Sequence, residues 1–137
     1  MNKALLDANI VLDVALKRPR FYGDAASIFK KIHEGKVQAF VSATTVSVIF
    51  YILQKQSTKE KALQFLSRLI QVVDVAGIDK EIIVDALVSG WNDFEDALQN
   101  CAAQKNDIEV IITRNTKDYM QSKIKIYTPA NFLKHLK

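Results

Sequence analysis

The residues best equipped for chemistry are aspartates spread over separate segments. Asp7 lies inside LLDANIVLD, residues 5–13, with Leu5 and Leu6 before it and Ile10, Val11 and Leu12 just beyond. A carboxylate beside that much apolar surface is costly unless hydrogen bonds or a cation compensate it. Farther on, DFEDALQNCAAQ (93–104) sets Asp93 and Asp96 three residues apart, neighbours on one helical face, with Asn100 four beyond Asp96. TRNTKDY (113–119) sets Asn115 and Asp118 at the same interval. Adjacent carboxylates repel unless something positive sits between them. Hard oxygen donors suit Mg²⁺ or Mn²⁺, ions that orient a phosphodiester, neutralise its developing charge and make a bound water more acidic. Each segment also has an ordinary explanation. Asp93 falls where a carboxylate caps a helix and meets the favourable end of its dipole, and Asn and Asp are common turn residues.

Several elements must bring these groups together. Strand patterns occupy 3–7 (KALLD), 37–41 (VQAFV, after the turn signal Gly35), 72–75 (VVDV), 109–113 (EVIIT) and 123–127 (KIKIY, alternating as an edge strand does). Helical patterns fill about 22–33, 43–55, 58–70, 79–89, 94–105 and 130–136, with Ser42 and Asp79 as N-caps and Pro129 opening the last. On the helix over 94–105, Phe94, Ala97, Leu98, Cys101 and Ala102 form the expected buried stripe. Strands alternating with helices predict an α/β fold, three layers deep, with a central, mainly parallel sheet of four to five strands. Ligands in such sheets bind beyond the carboxyl ends of the strands, which is where Asp7 and Thr113 stand.

A chain of 137 residues with 49% hydrophobic and 25% charged content is expected to form a single domain over 1–137. One cysteine and two histidines offer no zinc constellation. No apolar run approaches a membrane span and the N-terminus lacks a secretory pattern, so a cytoplasmic location is expected. The net charge of +4 fits a polyanionic partner and an ordinary solvated basic surface equally well. Trp91 and the Phe21, Tyr22 and Phe29 group read as packing residues, and Cys101 as an inert small hydrophobe.

Taken in order and spacing, LLDANIVLD, SATTVSVIFYIL (42–53), DFEDALQNCAA and ITRNTKDY (112–119) resemble a PIN domain over nearly the whole chain. The resemblance implies Mg²⁺- or Mn²⁺-dependent RNA cleavage by an acidic cluster. Small members of this length are often VapC-type toxins, which form homodimers and are held inactive by an antitoxin protein. Carried over residue by residue, Asp7 is the first acid and Asn9 its hydrogen-bonding neighbour. Asp96 is the third acid, Asp93 an auxiliary metal ligand, and Asp118 the fourth. Thr113 and Asn115 would position water, metal or phosphate, and Arg114 and Lys117 the RNA backbone. The second acid departs from the pattern. Similar proteins carry a glutamate where this chain has Val48, and no Asp or Glu occurs between Gly35 and Lys59.

Two functions follow. One is a metal-dependent ribonuclease with Asp7, Asp96 and Asp118 as catalytic and metal-binding residues. The other is a PIN domain of weakened catalysis that serves as an RNA- or protein-binding module, since one negative charge fewer attracts a dication less. In that position valine would extend the core beside Ile49 and Ile52.

Overall fold

A computed structural model describes residues 2–136. Five strands, β1 (Asn2–Leu6), β2 (Val37–Ser42), β3 (Asp74–Ala76), β4 (Val110–Ile112) and β5 (Lys125–Tyr127), form one sheet in the order β3-β2-β1-β4-β5. Every neighbouring pair is parallel, so the sheet is parallel throughout rather than mainly so. The expected strands appear within a residue or two of their predicted bounds, and β5 does lie at an edge.

Among the described residues, eight helical segments surround the sheet: α1 (Ala8–Ala15), α2 (Tyr22–His33), α3 (Ala43–Gln56), α4 (Lys59–Val72), α5 (Lys80–Val88), α6 (Phe94–Lys105), a 3-10 turn (Thr116–Tyr119) and α7 (Pro129–His135). Ser42 and Asp79 cap α3 and α5 through their side chains, and Pro129 opens α7 behind the N-cap Thr128. Gly35 takes φ +77°, the left-handed conformation that lets the chain leave α2 and enter β2.

α1 is an addition to the sequence reading. Residues 10–12 continue an apolar run, and a short run of that kind does not distinguish strand from buried helix by its period. Asp7 decides the outcome: its backbone is extended, and its carboxylate accepts a hydrogen bond from Ala8 N, which starts a helix directly after β1.

Alternation along the strands divides the interior in two. Ala4, Leu6, Val110 and Ile112 face a core closed by Ile10, Val11 and Leu12 of α1, Ile28 of α2, Ile49 and Leu53 of α3, Leu69 of α4 and Phe132 of α7. Leu5 and Ile111 face the other, closed by Ile82 and Ala86 of α5, Ala97, Leu98 and Ala102 of α6, and Tyr119. The result is three layers, α/β/α. Among the described residues no helix is long and apolar enough to cross a membrane.

The expected stripe on α6 needs correcting at its start. Phe94 is exposed, while Gln99, Asn100 and Ala103 are buried with Ala97, Leu98 and Ala102. Phe94 belongs to the first turn, ahead of the part of α6 that meets the sheet. Val48 also differs from expectation. It is half-buried, yet it joins neither core, whereas Ile49 is fully enclosed and Ile52 packs against the first.

Candidate active site

The strand order reverses at β1: the chain adds β2 and β3 on one side, then β4 and β5 on the other. Connections leaving β1 and β4 therefore diverge, and sheets of this kind bind ligands beyond the carboxyl ends of the strands at such a point. Asp7 stands in that place by construction, with its backbone N still bonded to Ile112 O of β4.

Both Asp7 carboxylate oxygens are engaged. Oδ1 accepts from Ala8 N at 2.8 Å and from Gln99 Nε2 at 3.1 Å. Oδ2 accepts from Thr113 Oγ1 at 2.8 Å. Gln99 is a buried residue of α6 that spends its whole amide here. Its Nε2 also donates to Tyr119 Oη at 2.9 Å, and its Oε1 accepts from Thr45 Oγ1 of α3 at 3.1 Å. Tyr119 Oη in turn donates to Asp96 Oδ1 at 3.2 Å. One connected chain thus runs from Asp7 through Gln99 and Tyr119 to Asp96, across groups more than 90 residues apart in sequence.

Asp96 carries the site's electrostatic signature. Its pKa is pushed up from the ordinary 3.8 to about 6, first by burial and then by the charge of Asp93, with Asp7 and Asp118 adding to the rise and the Tyr119 hydroxyl opposing it. Four aspartates therefore share one field. Tyr119 is pushed up as well, by burial first and then by Asp7 and Asp96, so it stays a hydroxyl donor.

The remaining predicted residues are placed as follows. Asp93 caps α6, accepting from Asp96 N at 3.0 Å, and is exposed. Asp118 lies exposed on the 3-10 turn and reaches the pair through its charge. Asn9 turns its Oδ1 to Arg18 Nη1 at 3.0 Å rather than to Asp7. Asn115 N donates to Thr113 Oγ1 at 3.1 Å. Lys117 is exposed. Arg114 is drawn inward: its Nε lies 3.2 Å from Asp13 Oδ2, and its guanidinium sits 3.9 Å above the Phe21 ring. Gln99, Tyr119, Thr45 and Asp13 were missed by the sequence reading. The interval of three between Asp96 and Gln99 was a usable signal, since it puts both on one side of α6.

A divalent cation has something to meet here, within limits. Among the described residues, no three carboxylate, imidazole or thiolate groups gather closely enough to enclose a metal ion. Yet the site has hard oxygens, a carboxyl at Asp96 raised by burial and by its neighbouring carboxylates, and neutral donors already orienting Asp7. Mg²⁺ usually retains several waters and needs only one or two protein carboxylates besides substrate phosphates. Asp7 and Asp96 supply oxygen donors of the kind such an ion takes.

Comparison with known proteins agrees with the fold. Solved structures that resemble the chain include a toxin–antitoxin complex from Klebsiella pneumoniae (23% identity, TM-score 0.68, covering 92% of this chain and 97% of that one). VapBC-1 from nontypeable Haemophilus influenzae matches at 17% identity and TM-score 0.69, over 93% and 98%. The sarcin–ricin-loop-cleaving toxin VapC20 of Mycobacterium tuberculosis matches at 16% and 0.62, over 79% and 86%. No curated protein matches the chain. The sequence model of the PIN domain matches residues 3–117, and with its parallel sheet and the acids at the reversal point, the chain belongs to the PIN domain family.

Proposed function

We propose that the chain is a Mg²⁺- or Mn²⁺-dependent ribonuclease and the toxin of a toxin–antitoxin pair. One observation carries the reading: Asp7 and Asp96, brought from distant segments to the sheet's reversal point, are bridged by Gln99 and Tyr119, and burial together with the neighbouring carboxylates raises Asp96 to about 6. Asp7 and Asp96 would hold the cation, with Asp118 and Asp93 adding negative potential. A bound Mg²⁺ or Mn²⁺ supplies Lewis acidity toward a phosphodiester oxygen. Thr113 and Gln99 fix the direction of the Asp7 oxygens, Tyr119 fixes one Asp96 oxygen, and exposed Lys117 meets the RNA backbone. An antitoxin protein and a second copy of the chain are the proposed partners, by analogy with the toxin–antitoxin complexes of similar fold.

The test is cleavage of RNA by the purified chain with Mn²⁺ or Mg²⁺, beside Asp7→Asn. The expected result is metal-dependent cleavage that falls at least a hundredfold in the variant. Full activity in Asp7→Asn refutes the assignment. A second reading, an RNA- or protein-binding module of weakened catalysis, is favoured by two observations. Val48 supplies no carboxylate, and neutral donors already satisfy Asp7. RNA binding without cleavage at any divalent concentration would select it.

A further inference from the structure

Asp13 ends the LLDANIVLD segment that also holds Asp7, and it is 1% exposed. A buried carboxylate demands partners, and it has two, both arginines from loops. Arg18, just beyond α1, places Nη1 3.3 Å from Oδ1. Arg114, just beyond β4, places Nε 3.2 Å from Oδ2; both of these atoms are enclosed, and neither has a directed hydrogen bond.

Each arginine is tied to the acid site by a short path. The Nη1 of Arg18 also donates to Asn9, two residues past Asp7. Arg114 lies between Thr113, which donates to Asp7, and Asn115, whose backbone N donates to Thr113 Oγ1. Phe21 covers the guanidinium from the far side at 3.9 Å. Arg114 thus commits its enclosed Nε to Asp13 and one face of its guanidinium to Phe21, while the rest of the side chain stays partly exposed.

We infer that Asp13 is a positioning residue, which uses Arg114 and Arg18 to clamp the turn after β4 and the loop after α1 onto α1, so that Thr113 meets Asp7, and whose carboxylate offsets the charge that Arg114 would otherwise present to RNA. The inference rests on the ribonuclease reading for its effect on turnover, but not for its geometry.

Arg114→Gln is the direct test, because Arg114 is partly exposed and its loss leaves Asp13 paired with Arg18. RNA binding is measured in EDTA across a salt series, and turnover with Mn²⁺. Arg114→Gln is expected to lower kcat about tenfold while Kd stays within twofold and the salt slope is unchanged. Lys117→Gln, removing an exposed phosphate contact, is expected to flatten that slope by about 0.7–0.9. Asp13→Asn, which frees the arginines, is expected to steepen it by about one contact or more. Loss of affinity with a flatter slope in Arg114→Gln would make Arg114 a phosphate contact and overturn the inference, as would unchanged kcat. Should the wild-type chain cleave no RNA, the nuclease reading falls alone. The clamp is then decided by amide exchange at Asn115, expected about tenfold faster in Arg114→Gln and overturned if unchanged.

Discussion

Asp96 shows how one carboxylate records its surroundings. Its folded-state pKa of about 6 lies above the ordinary 3.8, so the native protein holds that proton more tightly than the unfolded chain does. Folding then takes up a proton between those pH values. Asp96 thus subtracts stability progressively as pH rises from about 4 through 6, and the penalty persists above that range. Asp96→Asn keeps an acceptor for Tyr119 and removes the charge. We expect the variant to match the wild type in urea near pH 4 and to be the more stable protein near pH 7. A stability difference independent of pH would mean that neither burial nor the neighbouring carboxylates raise Asp96 in the folded protein.

At the scale of elements, α3 is where the acidic pattern expected from the resemblance is not met. Val48 stands four residues after Thr44 and three after Thr45, and Thr45 reaches Gln99 in the acid network. Helical spacing therefore puts position 48 on the same side of α3, and its side chain is half-buried outside both cores. A glutamate can enter without disrupting packed interior. Val48→Glu is expected to raise Mn²⁺ affinity about tenfold or more by isothermal titration, an ordinary effect of one added charge near a cation. Unchanged affinity would show that α3 does not face the ion. Most elements were legible beforehand because turn residues and caps punctuate the chain: Gly35, Ser42, Asp79 and Pro129 mark boundaries by local chemistry. α1 was not, since Asp7 serves as cap and site residue at once and the run after it has no clear period. Among site residues, the aspartates stood out by charge. Gln99 and Tyr119 did not, because a neutral amide and a phenol become functional only through partners on other elements. Asp13 was hidden for a similar reason, its two arginines lying in different loops.

The whole molecule is held by two cores that share one sheet, and β1 contributes to both, Leu6 to one and Leu5 to the other. The acid network crosses this sheet's edge, so its geometry depends on both layers standing together. Phe132 tests that dependence. It is fully enclosed in the first core, edge-on to Tyr127 at 5.9 Å, so Phe132→Ala leaves a cavity and should cost about 3–5 kcal/mol. The single tryptophan reports from the opposite side: Trp91 packs against the second core, edge-on to Tyr119 at 5.9 Å. With β1 shared, a cavity in the first core should shift the Trp91 fluorescence transition as far as the helical circular dichroism, and both should remain coincident, as in two-state unfolding. A fluorescence midpoint that stays at the wild-type value while circular dichroism moves would mean the layers unfold separately. The acid site, anchored on α6 and Tyr119, would then survive damage to the layer that carries α1, and the coupling of Asp7 to Asp96 would be local to one face.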